Sequence, residues 1–338
     1  SPPPSAGDHV QGSDAVPVLQ VRGKRNVRLH DPSRIVKCQG RYWCFSTGMG
    51  VSSWHSADLD HWEPGPRVFR EMPAWVREVV PTPRGHFWAP DVIHHDGRYL
   101  LYYSVSQFGK NTSAIGLAST STLDPEAPNQ VWTDEEIVIR STAADDFNAI
   151  DPAVVRTPEG ELWMAFGSFW SGIKLIQLDP RTGKRLPDDG PPRTIAWRDA
   201  IEAPHLYRHG GHYYLFVNWG FCCRGVESTY EIRVGRSLDI RGPYRDREGV
   251  ELRTGGGTLF LGSEGAFIGP GHANVFEERG EWWFHCHFYD GTDRGRSWLA
   301  LQRLTWDAED WPAMSAGASS AVPSPGERPV PPEPLPGQ

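Results

Sequence analysis

No run of about 18 apolar residues occurs anywhere in the 338-residue chain, so no segment has the character of a transmembrane helix. The chain also lacks a basic surplus. With 34 Lys and Arg against 42 Asp and Glu, its net charge is -8 and its pI about 5.9. That balance leaves no electrostatic footprint for nucleic acid or an anionic bilayer, and a neutral or weakly polar ligand suits it better. Cysteine is scarce: Cys38, Cys44, Cys222, Cys223 and Cys286 form an odd set without a C-x-x-C pair. Neither a zinc site nor a disulfide framework is indicated, and the redox compartment stays open. The glycines Gly255 to Gly257, Gly262 and Gly265 are followed by no helical pattern or P-loop lysine, so they read as a loop rather than a phosphate cradle. A start at Ser1 without a charged-then-apolar leader fits a mature secreted or periplasmic protein, or a trimmed chain.

Turn formers and aromatics are plentiful instead. The chain carries 36 Gly, 30 Pro and 15 Trp, which points to many turns between short aromatic strands. The segments at 1–15 and 314–338, the second rich in proline, read as tails that cannot build a core, which leaves 16–313 for the fold. Within it one pattern recurs five times: a glycine turn followed at once by an aromatic strand. The copies are QGRYWCFSTG at Gly40, DGRYLLYYSVS at Gly97, EGELWMAFGSF at Gly160, GGHYYLFVNW at Gly211 and RGEWWFHCHFYD at Gly280. Each is a β-hairpin signal, and a unit recurring about every 60 residues is what radial repetition requires. An all-β, five-bladed β-propeller is predicted; a β-sandwich made of the same hairpins is the alternative.

Each hairpin follows a polar-apolar element: LHDPSRIV, FWAPDVIH, AIDPAVVR, IEAPHLYR and PGHANVFE. If these open the innermost strands, Asp31, Asp91, Asp151, Glu202 and His272 stand at the mouth of the axial channel. A lone Asp-Pro is ordinarily a turn initiator, but repetition in different blades brings carboxylates face to face, which is costly unless it serves a purpose. Hydrolysis of a glycosidic bond needs one protonated and one ionised carboxyl group, and a third can keep the acid protonated by repulsion. Asp31 is therefore predicted as general base, Glu202 as general acid and Asp151 as the group that tunes it. Asp91 lies one residue beyond its proline, where strand alternation turns it away, so it is left out of the set. His285 and His287 share one side of a strand with Trp283 and Tyr289 and read as an ordinary polar face.

The elements HDPS (His30 to Ser33), FWAPDV (Phe87 to Val92), YYSVSQFGKNTSAIGLA (Tyr102 to Ala118), AIDPAV (Ala149 to Val154), GSFWSGIKLIQLDP (Gly167 to Pro180), IEAPH (Ile201 to His205), CCRGVESTY (Cys222 to Tyr230) and GPGHANVF (Gly269 to Phe276) resemble glycoside hydrolase family 43, in particular its α-1,5-L-arabinanases. The likeness runs from about Val27 to Trp311. It implies a five-bladed propeller, an inverting mechanism and the three carboxylates in the roles above. It also implies a calcium ion near His272, held largely through water, and an arabinan or arabino-oligosaccharide substrate with Trp88 and Phe108 flanking the sugar. His30, Asn148 and Ser168 would bond its hydroxyls, while Trp170, Trp219 and Phe221 either shape outer subsites or pack between blades. A monomer is expected. Cys222 and Cys223 are read as a vicinal disulfide or as reduced thiols, and Asn111 opens a formal glycosylation sequon. Endo and exo action are left open. An arabinofuranosidase or xylosidase of the same fold, and a non-catalytic sugar-binding propeller, are the other readings.

Overall fold

The computed structural model describes residues 27–314. Except for Met314, the tails expected at 1–15 and 314–338 lie outside the described residues. Between them the chain forms five antiparallel sheets, each taking its strands in sequence order. Blade 1 begins with Val36–Cys38, blade 2 with His86–His95, blade 3 with Ala153–Arg156, blade 4 with Ile201–His209 and blade 5 with Phe267–Glu278. Four sheets have four strands. Blade 2 has five, because the short strand Gly48–Met49 crosses from blade 1 to pair with Phe87 and His86.

The repeated glycine signal has a conformational cause. In blades 1, 2, 4 and 5 a two-residue turn joins the first two strands, and both of its residues have positive φ: Gln39 and Gly40, Asp96 and Gly97, Gly210 and Gly211, Arg279 and Gly280. That is the type I′ turn, whose twist matches the strands it connects. Blade 3 departs, with Thr157 to Glu161 bridging Arg156 and Leu162.

Burial explains why the aromatic strands read as nearly continuous apolar runs rather than alternating ones. Neighbours along the second strand of each blade point into different interfaces. In blade 2, Leu101 and Tyr103 join one cluster with Trp43 and Phe45 of blade 1, while Leu100 and Tyr102 join another with Met164 and Phe166 of blade 3. Trp163 and Leu215 meet between blades 3 and 4, and Phe216 and Phe284 between blades 4 and 5. The fifth cluster joins Phe276, Trp283 and Leu301 of blade 5 to Tyr42, Cys44 and Trp62 of blade 1. Five clusters, each shared by two neighbouring blades, close a ring. This is the predicted propeller and not the sandwich. Within the described residues no strand of blade 1 enters the sheet of blade 5, so the ring closes through side chains, the amide of Leu299 donating to the Val27 carbonyl at 3.1 Å, and the Lys37–Glu278 pair.

Candidate active site

Each inner strand is preceded or kinked by one residue held in the left-handed region: Asp31 (φ 52°), Ala89 (43°), Asp151 (60°), Ala203 (53°) and His272 (60°). A non-glycine residue there costs about 1–2 kcal/mol, and hydrogen bonds offset it. Every one of these five amides donates to a side chain of the preceding blade. The acceptors are His287 Nδ1 for Asp31 (3.0 Å), Thr47 Oγ1 for Ala89 (2.9 Å) and Ser104 Oγ for Asp151 (2.9 Å). Asp151 Oδ2 accepts from Ala203 (3.0 Å), and Asn218 Oδ1 from His272 (2.8 Å). The five-fold equivalence therefore corrects the sequence reading in two places. Ala89 and Ala203, not Asp91 and Glu202, occupy the repeated position, and Glu202 reaches the mouth from one residue earlier.

Around the mouth, Asp31 is the best-served carboxylate. Its Oδ2 accepts from Thr47 Oγ1 (2.6 Å) and lies 2.9 Å from His30 Nδ1; its Oδ1 is 3.3 Å from His272 Nδ1. Burial by itself would raise its pKa, but the two imidazoles outweigh burial and hold Asp31 well below the usual carboxylate range. Asp151 and Glu202 move the other way. Burial raises Asp151 well above the ordinary value, and the charges of Glu202 and Asp31 add to this, against His272 and the Ala203 amide. Glu202 is raised by burial and by Asp31, although the Ser168 and Tyr230 hydroxyls bond its two oxygens. His272 is raised too: its burial is overcome by Asp31 and Asp151. One mouth thus holds a carboxylate poised to stay ionised beside a carboxyl pair poised to keep a proton.

Asp91 is buried and directed away, as alternation requires. Its Oδ2 accepts from the Val154 amide (2.8 Å) and pairs with Arg34 Nη2 (3.4 Å), binding blades 1, 2 and 3 together below the mouth. His287 corrects another expectation, since it is no ordinary polar face: fully buried, it holds the Asp31 amide and stacks on His30 at 3.9 Å between ring centroids. His285 instead reaches the Ser33 carbonyl (2.8 Å). Thr47, Ser104, Asn218, Tyr230 and Tyr289 escaped the sequence reading. A signal for the first three, and for His287, was present: each is a polar residue interrupting the aromatic run where a second strand returns to the mouth, as in CFST, LYYS, FVNW and FHCHF.

The other predicted positions divide. Trp88, half-buried, lies on the inner strand of blade 2 opposite Ser104. Phe108 (81 % exposed), Trp170 (43 %) and Phe221 (40 %) stand on loops of the mouth face. Trp219 does not, because it is buried between the guanidinium groups of Arg198 (3.7 Å) and Arg233 (4.1 Å) and serves packing. Asn148 is buried, its Oδ1 accepting from Ser113 Oγ (2.7 Å). Ser168 contacts Glu202, and His30 spans Asp31 and Tyr289 Oη (2.6 Å). The Asn111 side chain is buried and donates to the carbonyls of Asp145 and Phe147, so it presents no acceptor for a glycan. Cys222 and Cys223 are joined as a disulfide.

The profile of the family described as "Glycosyl hydrolases family 43" matches residues 25–312. The chain belongs to glycoside hydrolase family 43. Among family relatives, the extracellular exo-α-(1→5)-L-arabinofuranosidase of Cellvibrio japonicus (strain Ueda107) is 40 % identical over 86 % of this chain and 88 % of its own length. The extracellular endo-α-(1→5)-L-arabinanase 1 of Bacillus subtilis (strain 168) is also 40 % identical, over 86 % and 89 %. The crystal structure of an exo-1,5-α-L-arabinanase from a bovine ruminal metagenomic library superposes with a TM-score of 0.83 at 42 % identity, covering 86 % of this chain and 98 % of that one. A Cellvibrio cellulosa α-L-arabinanase complexed with arabinohexaose gives 0.82 at 39 %, covering 86 % and 96 %. This family 43 enzyme is a glycoside hydrolase, and none of its described helices is long and apolar enough to cross a membrane.

The expected calcium finds no protein cage. Calcium takes six to eight oxygen ligands. Among the described residues, the groups able to hold an ion jointly are His30 with Asp31 and His287, and His30 with Cys222 and Cys223; neither includes His272. The donor set beside His272 fits a cation only through water.

Proposed function

We propose that this enzyme hydrolyses α-1,5-linked L-arabinofuranosyl chains with inversion, Asp31 acting as general base, Glu202 as general acid and Asp151 as the group that keeps a proton on the pair. The opposed ionisation of the three carboxyl groups carries the reading: Asp31 is held down by His30 and His272, while burial holds up Asp151, with the charges of Glu202 and Asp31, and Glu202, with the charge of Asp31. An inverting hydrolase needs that division, with an anion to take a proton from water and an acid to protonate the leaving oxygen. The Ser168 and Tyr230 hydroxyls fix both Glu202 oxygens, and since hydroxyl hydrogens rotate, they serve the acid before and after it gives up its proton. The printed names of the relatives, and the arabinohexaose complex of one, support the substrate.

Trp88, Phe108 and Trp170 would offer ring faces to the sugar, Asn148 and Ser168 would meet its hydroxyls, and His30 would orient Asp31. A calcium ion, if bound, would sit beside His272 behind water and add positive charge near the carboxylates. Relatives are named extracellular, and we assign this enzyme the same place.

Glu202→Gln and Asp31→Asn should each lower kcat roughly 10²–10⁴-fold while leaving arabino-oligosaccharide affinity within about threefold. The first product seen by NMR should carry the inverted anomeric configuration. A retained anomer would refute the mechanism, and an enzyme that releases sugar from aryl xylosides but none from linear arabinan would refute the substrate.

A further inference from the structure

The loop between the second and third strands of blade 4 brings sulfur to the rim of the mouth. Cys222 is half-buried and Cys223 exposed, and Cys223 Sγ lies 3.9 Å from His30 Nε2. The two sulfurs and a His30 nitrogen all fall within 4.8 Å of one another. Hydrogen bonding fixes the imidazole for a further partner. The Cys223 amide donates to Tyr289 Oη (2.8 Å), the Tyr289 hydroxyl donates to His30 Nε2 (2.6 Å), and His30 Nδ1 donates to Asp31 Oδ2 (2.9 Å). The lone pair of Nε2 is thus held by the Tyr289 hydroxyl, with Cys223 Sγ 3.9 Å from the same nitrogen, so a cation beside the sulfurs would gain Nε2 by displacing that hydroxyl. A histidine whose other nitrogen donates to a carboxylate is the usual form of a metal-bound imidazole.

We propose that, once the Cys222–Cys223 bond is reduced, the two sulfurs and His30 Nε2 form a site for a thiophilic divalent cation, zinc or cadmium, that inhibits the enzyme. Two thiolates and an imidazole are a donor set such ions select; ordinary Zn–S and Zn–N lengths set the donors about 3.4–3.8 Å apart, which the Cys223–His30 distance of 3.9 Å nearly meets and which the two sulfurs, bonded in the oxidised form, reach by separating on reduction. The bookkeeping of the step is simple. A dithiol passes two electrons and two protons to the disulfide, giving two thiols as it closes its own disulfide; the cation then displaces both thiol protons, and water fills the fourth position. Exposure of Cys223 gives the reductant access. The site is distinct from the region of His272, where hard, water-held calcium is expected. The remaining thiols do not compete: Cys38, Cys44 and Cys286 are buried, and burial pushes Cys44 up to about 12. Inhibition follows because the cation takes Nε2 from Tyr289 and lodges one imidazole away from Asp31, which makes that half of the proposal rest on the reading of Asp31 as the base.

The test is cadmium titration of the full chain, oxidised and after reduction by a dithiol that is then removed. The reduced protein should bind one Cd²⁺ per chain with an ultraviolet thiolate-to-metal band, and lose at least tenfold in arabinan hydrolysis until a chelator restores it. The oxidised protein should show neither effect. Cys222→Ser should abolish the band, and His30→Ala should weaken binding at least tenfold, with circular dichroism confirming the fold of each. Equal cadmium binding before and after reduction, no stoichiometric band, a band indifferent to His30, or binding without inhibition would overturn the proposal. A chain that binds cadmium as described but never hydrolyses arabinan would instead count against the assigned function.

Discussion

Asp151 sits where its charge runs against the stability of the fold. Burial and its acidic neighbours raise its folded pKa, so the stability it contributes is complete below its unfolded value, near 4, and is lost as the pH rises through the folded value. Replacing it by Asn keeps an acceptor for the Ala203 amide and removes the charge. Asp151→Asn should therefore stabilise the folded enzyme at neutral pH by roughly 1–2 kcal/mol while hydrolysis collapses, and calorimetry should find the gap closing as the pH is lowered toward 4. Asp31 has the opposite sign: its depressed pKa contributes stability above the unfolded value that is lost as the pH falls through the folded one. The same directions set the rate profile. The acid limb of kcat/KM should lie below the ordinary Asp range, and the alkaline limb, set by loss of the proton on the Asp151–Glu202 pair, above the ordinary Glu range. The three carboxylates were legible as residues because each stands in the element that precedes a repeated hairpin; Asp-Pro alone does not mark them, since it also occurs at Asp124 and Asp179. The environment that pushes them apart was not, since His272 reaches Asp31 from blade 5 and Glu202 reaches Asp151 from blade 4.

The inner strand of blade 5 shows how closely an element is fitted to the groups behind it. A Cβ on Gly271 would come within 2.3 Å of Tyr230 Cδ2 and 3.1 Å of His287 Nε2; one on Gly269, at φ 56°, would come within 2.9 Å of the Tyr289 ring. The glycines of GPGH are thus spaces for two tyrosines and a histidine that serve Glu202 and Asp31. Gly271→Ala should displace Tyr230 from Glu202, lowering kcat more than it raises KM and costing roughly 1–3 kcal/mol in denaturant unfolding. Unchanged kinetics would mean that Tyr230 does not hold the acid. Strand positions were readable because turn chemistry is local: Gly40, Gly97, Gly211 and Gly280 each mark a type I′ hairpin. Register was less so. The kink at Ala89 and Ala203 shifts which residue faces the axis, and a periodicity of two cannot register a left-handed residue inside the strand. Trp219 illustrates the same limit, since its two covering arginines come from the segment before blade 4 and from its neighbouring strand.

At the scale of the molecule, five hydrophobic interfaces do the holding; among the described residues a strand crosses only between blades 1 and 2, and the interface between blades 5 and 1 joins the first blade of the chain to the last. Leu301 is buried there with Phe276, Trp283, Tyr42 and Cys44. Leu301→Ala should cost roughly 2–4 kcal/mol, and its loss should lower activity near the new melting temperature before the other interfaces give way. Calorimetry with parallel activity measurements would check this; simultaneous loss of both would show that the ring opens only as a whole. Radial repetition was visible in the sequence, but which interface closes the circle was not, because repeats look alike wherever the circle is cut. The closing seam also bears on when the enzyme becomes active. Asp31 precedes the first blade in the chain, and His287, which clasps its backbone amide, stands on the fifth. A polypeptide emerging from the ribosome carries Asp31 through the synthesis of four blades without the part that orients it, so if Asp31 is the base proposed above, no product truncated before the fifth blade should cut a glycan.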